Sequence, residues 1–413
     1  MSFAQGLLEA LTKDLPLLYG PALLAVAATL MLWPGDRFVG RGNKKVWGFV
    51  AALVLLAAGA LALTAPTDEG FNRMFRVDGL TKGFQALCVM GGLITIALSQ
   101  PQLNALKEQT VEYYALILFS VCGMMLLVGA TDLVSMYFSL ELMALCIYVL
   151  VAYLRHQERS VEAGLKYFLL GAFSSGILLY GISLLFAAAG GVTTNLAELN
   201  GRLALVSANG SLLVYAGVLM VLVGFAFKVA AVPFHMWAPD TYEGAPTLVS
   251  ALLAAGSKKM GFAAAFRVLL VALVALRLDW YIAFAVLAAV TMTLGNLAAC
   301  WQDNVRRILA YSSVAQAGYI SIGLVVVGAA YGSSPVNVFN MGMWPADQLG
   351  IAGALLLILG HALMKTGAFI GSAQVAGMVS GSGQNDPDDI SNYAGLAKRA
   401  PITAFCMLIF MFA

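Results

Sequence analysis

Glu141, Lys228 and Lys258 are ionisable residues in the middle of long apolar runs, and His361 and Lys365 stand together in another. Carboxylate, amine and imidazole share one chemistry that needs no further group: each takes up and releases a proton. His361 and Lys365 in "HALMK" are four residues apart, hence on one face of a helix. Lys258 and Lys259 are adjacent, about 100° apart round a helix, so both cannot share one interior face. In "FKVAAVPFHMWAPD", Lys228 precedes Pro233 and His235 follows it. Proline removes a backbone hydrogen bond and clashes with the carbonyl of Val229, so the helix should break between Lys228 and Phe234. A broken helix with a titratable lysine at its interruption is how transporters build ion sites.

An ionisable group at the centre of a bilayer costs about 2.5–3.5 kcal/mol on insertion scales. At roughly 1.5 Å per residue, Glu141 sits about 14 Å into its run, Lys258 about 18 Å beyond Pro246 and His361 about 18 Å beyond Leu349. Plainer readings stand beside the chemical one. Lys82 and Lys166, nearer the ends of their runs, can snorkel to the surface. Lys259 reads better as a snorkeller or half of a structural pair; a hydrogen-bonded core histidine for His235 and a static buried pair of Glu141 with Lys228 are the plain alternatives. The number of such groups at similar depth on separate helices exceeds what pairing needs and favours a proton relay. In such a relay a carboxylate near Lys228 holds its charge, withdrawal of that carboxylate releases it, and the groups titrate jointly. Ser174, Ser175, Ser257, Thr291, Thr293 and Ser312 are candidates to hold linking water.

The scaffold that positions these side chains is legible from composition. Hydrophobic residues make up 61% and charged residues 11%, with a mean hydropathy of +0.86, against about 25% charged in a soluble domain. Apolar runs near twenty residues recur at 15–33, 45–65, 79–99, 111–130, 132–154, 161–189, 209–232, 246–275, 280–300, 304–329 and 349–377, with the start of a twelfth near Pro401. No period-two alternation runs through them, so the fold class is all-α and polytopic. The first run, after Lys13 and Asp14, reads as a retained span. The segments 190–208, 331–348 and 378–400 read as longer connections, the last as an exposed polar loop.

The net charge of +2, with no basic patch interleaved with aromatics, points away from nucleic acid. Five cysteines, Cys88, Cys122, Cys146, Cys300 and Cys406, stand singly in apolar runs and read as small buried hydrophobes. No metal ligand set, iron–sulfur cysteine cluster or Gly-rich nucleotide loop is evident, so no cofactor is expected on this chain. Arg37, Arg41, Lys44, Lys45, Lys107, Arg155, Arg159, Arg306, Arg307, Lys398 and Arg399 fall in alternate loops, against Lys13, Arg73, Arg76, Arg202 and Arg277 on the other side. This asymmetry puts the first set in the cytoplasm and the N-terminus outside; a bacterial plasma membrane is the expected location.

The stretches "SLELMALCIYVLVAY", "EAGLKYFLLGAFSSGILLYGISLL", "GFAFKVAAVPFHMWAPDTYEGAPT" and "RRILAYSSVAQAGYI" resemble, in order, the antiporter-like proton-translocating subunits of respiratory complex I, NADH-quinone oxidoreductase. The similarity is greatest to the subunit N branch, relatives of mitochondrial NADH dehydrogenase subunit 2. It covers residues of about 110–320. The resemblance implies that Glu141, Lys228 and Lys258 transfer protons, and that Lys166 belongs to the same polar axis; Lys259 matches no family position. It also implies an antiporter-like fold of fourteen helices with two inverted five-helix repeats. On that plan 1–110 holds three N-terminal helices, 111–276 the first repeat, and 277–413 an incomplete second repeat. "HALMK" instead resembles larger sibling subunits and Mrp-type antiporters.

The expected function is a membrane-arm subunit coupling NADH-to-quinone electron transfer to proton export, a translocase part without a redox site. NADH, FMN, iron–sulfur clusters and quinone would belong to partner subunits. Other membrane-arm subunits and the lipid bilayer are the expected partners. Protons would pass Lys228 and Lys258 and move towards His361 and Lys365, with Lys166 and His235 as further candidates. A sodium/proton antiporter subunit, an F420H2 dehydrogenase or membrane hydrogenase equivalent, and a purely structural scaffold are the alternatives.

Overall fold

In a bilayer, backbone N–H and C=O groups find partners only within the segment or in a closed barrel, so apolar runs of this length fold as helices. The computed structural model describes residues 3–35, 44–106, 111–207, 211–330, 336–337, 343–379 and 386–412. In chain order come α1 (Phe3–Leu30), α2 (Lys44–Thr64), α3 (Gly79–Leu106), α4 (Val111–Gly129), α5 (Leu133–Val151) and α6 (Glu158–Ala188). Next are α7 (Leu196–Ser207), α8 (Leu212–Lys228), α9 (Trp237–Gly244), α10 (Thr247–Leu252) and α11 (Lys258–Arg267). After these come α12 (Arg277–Cys300), α13 (Val305–Ala330), α14 (Ala346–Val379), α15 (Leu396–Arg399) and α16 (Pro401–Phe412). Among the described residues, nine helices are long and apolar enough to cross a membrane: α1–α6 and α12–α14.

Two expected spans are not simple helices. The one expected over 209–232 stops at Lys228. The one over 246–275 is a composite: α10, a π turn (Leu253–Ser257), α11 and a second π turn (Val268–Ala272). All residues from Thr247 to Leu269 are buried, so this composite is the centre of the bundle, with protein on every side.

Two connections also differ from the sequence reading. Residues 196–207 form a helix rather than a loop, because Leu196, Leu199 and Leu203 recur on one buried face after Asn195, whose side chain accepts from Ala197 N–H. The described part of 378–400 is not exposed throughout: Asp388 and Asn392 are buried, and Asp388 pairs with Arg306. Residues 380–385 lie outside the described residues, as do Arg37, Arg41 and Lys107 from the charge count. Cys300 and Cys406 are exposed, not buried as expected: Cys300 is the last residue of α12, and Cys406 lies on α16, where Met407 alone is buried.

Small residues let helices approach closely. A Cβ on Gly181 of α6 would meet Val221 N of α8 at 2.8 Å, and one on Gly295 of α12 would meet Ala315 N of α13 at 2.7 Å. Two helical corners are closed by the same backbone device. At the α4–α5 corner, Leu133 N–H donates to Thr194 O (3.0 Å) and Leu196 N–H to Thr131 O (3.0 Å). At the α12–α13 corner, Val305 N–H donates to Asp388 O (2.9 Å) and Ile390 N–H to Asp303 O (2.8 Å). The bridged residues are Asp132 with Asn195 and Asn304 with Asp389, the same acid–amide pair with its members exchanged.

Candidate functional site

The break after α8 is the local feature on which the site is built. Val229 caps the helix, Ala230 adopts φ +55°, and the Val232–Pro233 peptide is cis. A left-handed alanine is unfavourable on its own, so the surroundings must hold it. They do so by pairing the freed backbone groups. Ala231 N–H donates to Ala226 O (2.8 Å), and Val232 N–H donates to Thr291 Oγ1 of α12 (3.0 Å). Trp237 Nε1–H donates to Phe227 O (2.9 Å). The interruption is thus a closed, hydrogen-bonded structure inside protein, as irregular backbone at membrane depth requires.

Lys228 ends α8 with its ammonium buried and without a protein hydrogen-bond partner. It stands 5.8 Å from the centroid of the Tyr148 ring, the range of a cation–π contact. Tyr148 starts an aromatic column: Tyr148 meets Tyr167 edge-on at 4.7 Å, Tyr167 stacks on Trp237 at 4.6 Å, and Tyr242 stacks on Phe369 at 5.4 Å. Glu141 is half-buried and accepts a short hydrogen bond from Ser175 of α6. No ion pair joins Glu141 to Lys228 among the described residues, so the static-pair reading is not the arrangement found.

Lys258 is 2% exposed, and its Nζ donates to Ser313 O (2.6 Å) and Ser313 Oγ (3.2 Å) of α13. Gly261, one turn further along α11, faces the break: a Cβ there would lie 3.3 Å from Lys228 Cβ. The break and the central lysine are therefore packed against one another through a glycine. His361 and Lys365 are both buried on α14.

Lys259 departs most from the sequence reading. It neither snorkels nor joins an ion pair; it is 0% exposed and its Nζ contacts His361 Nδ1. Because the composite is enclosed on all sides, adjacent lysines point inward in different directions, one to α13 and one to α14. Ser313, which the sequence reading did not single out, holds Lys258. Thr293 is exposed and bonds to Ala289 O, away from the lysines. Ser174 Oγ, Tyr148 Oη, Gln316 Oε1 and His361 Nε2 are buried without protein partners, as Lys228 Nζ is. Each such group costs about 1–3 kcal/mol unless water or a proton-exchange partner satisfies it.

Lys166 and His235 lie apart from the buried row. Lys166 is half-exposed and pairs with Glu162 (2.7 Å) and Asp240 (3.0 Å). Arg307 pairs with Asp240 (3.0 Å) and Glu243 (2.7 Å), and together these residues line a charged cleft of about 240 Å³. Burial tends to raise the Asp240 pKa, but hydrogen bonds from Lys166 and Arg307, then their charges, hold it below the usual carboxylate value. His235 is half-buried, its ring 6.4 Å from Tyr311. Among the described residues no group of three His, Cys, Asp or Glu side chains is placed to hold a metal ion.

Comparison with known proteins gives a consistent family. The NADH:quinone oxidoreductase/Mrp antiporter transmembrane family matches residues 130–344 and 336–413. The F420H2 dehydrogenase subunit N of Methanosarcina mazei is 38% identical over 95% of this chain and 78% of its own length. The NADH-quinone oxidoreductase subunit N of Trichlorobacter lovleyi is 37% identical over 97% of this chain and 77% of its own. A chain in the structure of respiratory complex I from Thermus thermophilus with bound aureothin is 30% identical, with a TM-score of 0.71, covering 95% of this chain and 77% of that one.

Proposed function

This chain belongs to the NADH:quinone oxidoreductase/Mrp antiporter transmembrane family, and from that premise we propose that it is a proton-translocating membrane-arm subunit of the subunit N kind. The observation that carries the reading is the row Lys228, Lys258, Lys259, His361 and Lys365, all buried at the centre of the bundle and, among the described residues, none bonded to a carboxylate. Static bracing would pair buried charges; proton carriage needs bases that are not permanently paired. In this reading protons are collected from the cytoplasmic side at the cleft of Lys166, Asp240 and Glu243. They pass Lys228, whose charge Glu141 stabilises, and then Lys258, and leave by His361 and Lys365. His235 is a candidate on the approach to Lys258. NADH oxidation, flavin, iron–sulfur and quinone chemistry belong to partner subunits; the five unclustered cysteines here do not suit a cluster. F420H2 in place of NADH is a second reading, favoured by the Methanosarcina relative; the donor-binding partners decide between them.

The finer architecture we propose is the inverted repeat, with 1–110 before it, a first unit over 111–276 and a second beginning at 277. The two corners support it. Five apolar runs lie between them, α5, α6, α8, the α10–α11 composite and α12, and an odd number of crossings supports identical bridges closing opposite faces of the bundle. Nine residues beyond the bridged Asp132 stands Glu141, and nine beyond the bridged Asn304 stands Ser313. Lys258 is therefore held at the position that mirrors Glu141. The charge asymmetry of the loops supports an outward N-terminus and the bacterial plasma membrane.

The test is Lys228→Met in the assembled complex. Proton export per electron should fall at least about tenfold with assembly intact. Undiminished export would reject the role.

A further inference from the structure

We propose that Lys259 is a proton-carrying residue, the link between the central lysine and His361. The inference rests on the relay reading above. Lys258 points to α13, where Ser313 holds it by carbonyl and hydroxyl, and it has no hydrogen bond to α14. Lys259 points the other way and contacts His361 Nδ1. Contact between an amine nitrogen and a ring nitrogen demands one donor and one acceptor, so the pair shares a single proton. An ammonium on Lys259 donates to Nδ1 of a neutral ring, or a neutral amine accepts from Nδ1–H.

Transfer exchanges these forms. The Nζ–H bond breaks as the Nδ1–H bond forms, leaving a neutral amine and an imidazolium. The imidazolium then releases the proton on Nε2, which is buried with no protein partner, to the neutral amine of Lys365 through water. Lys365 is one turn along the same face of α14. The ring thus takes the proton on one nitrogen and gives it up from the other. Charge counting supports the same role. Lys258, Lys259, His361 and Lys365 are four buried bases with, among the described residues, no carboxylate bonded to any of them. Like charges at this proximity cannot all be protonated, so the cluster has more sites than protons, as a relay requires.

The test uses the assembled complex in sealed vesicles, reading proton export per electron beside donor-to-quinone electron transfer. Lys259→Met and Lys259→Arg should both lower export at least about tenfold. Arginine keeps a cation and its donors but does not release a proton, so a structural cation is rescued by it and a carrier is not. Export within twofold of the parent in Lys259→Arg, or normal export in Lys259→Met, overturns the proposal. If the larger side chain prevents assembly, His361→Gln decides instead: the amide bonds to Lys259 but cannot pass a proton across a ring, and retained export overturns the proposal. Lys258→Met in the same series separates the layers. Normal export there sinks the relay reading itself; loss there with normal Lys259 variants sinks only the present inference.

Discussion

Thr291→Val isolates the hydrogen bond that holds the helix break. Valine has nearly the shape of threonine, so packing is preserved and what is lost is the acceptor for Val232 N–H, now at 3.0 Å. Both residues are buried, at 1% and 5% exposure, so bulk water does not replace that acceptor. A buried donor left unsatisfied costs about 1–3 kcal/mol, more than the typical gain of about 1 kcal/mol from making the bond. The cost falls only on the broken geometry, because a regular helix would satisfy this N–H internally. At 1.4 kcal/mol per decade, it lowers the population of that geometry by about 5- to 150-fold against any competing arrangement. Proton export per electron should fall, by at most that factor, while Thr291→Ser, which keeps the hydroxyl, should stay near the parent. Export, assembly and thermal stability are read on the same membranes. Normal export and stability in Thr291→Val would refute the claim that Thr291 holds the interruption open.

Two further outcomes follow from the packing. Gly261→Val inserts a branched side chain where even a Cβ would sit 3.3 Å from Lys228 Cβ; overpacking of this kind costs about 1–3 kcal/mol, and export should fall more than assembly, whereas equal losses would mean a general packing defect. Arg267, 7% exposed, donates to both Asp78 oxygens (2.9 and 3.0 Å), so Asp78→Ala strands a buried cation and should destabilise the fold by about 3–5 kcal/mol; unchanged thermal unfolding would contradict this. Burial tends to raise the Asp78 pKa, but the Thr81 backbone hydrogen bond and the Arg267 charge outweigh it and hold it below 3.8. The contribution of Asp78 is therefore full above the ordinary carboxylate range and lost as pH falls through its lowered value, so the parent should lose stability in acid and Asp78→Ala should lose less.

Helices and the break were readable because both rest on local chemistry: apolar length in one case, the missing N–H of Pro233 in the other. The shared face of His361 and Lys365 was readable from a four-residue spacing. Lys259 was not, because its fate depends on what surrounds the helix. On a half-buried helix a neighbour 100° away reaches lipid or solvent, but this composite is enclosed by α4, α8, α13 and α14. Nothing in the residues 247–272 alone says so. That Ser313 holds Lys258 is likewise set by how α13 packs against α11. Helix α7 was hidden for a different reason: its three buried leucines make a stripe too short to register as a span, yet long enough to lie along the bundle.

The mirrored corners also expose an asymmetry with a consequence for direction. Nine residues past the first corner stands Glu141 and nine past the second stands Ser313, so on the proposed repeat a carboxylate faces a hydroxyl at the matching position. On the proposed relay, a proton reaching Lys228 gains from that carboxylate and from the Tyr148 ring face. One reaching Lys258 meets a neutral hydroxyl and carbonyl, with Lys259, His361 and Lys365 as further bases nearby. The step from Lys228 to Lys258 is therefore uphill, and it is the step across the Gly261 contact. On that relay, energy from electron transfer would act at this step, by moving Glu141 or the break itself.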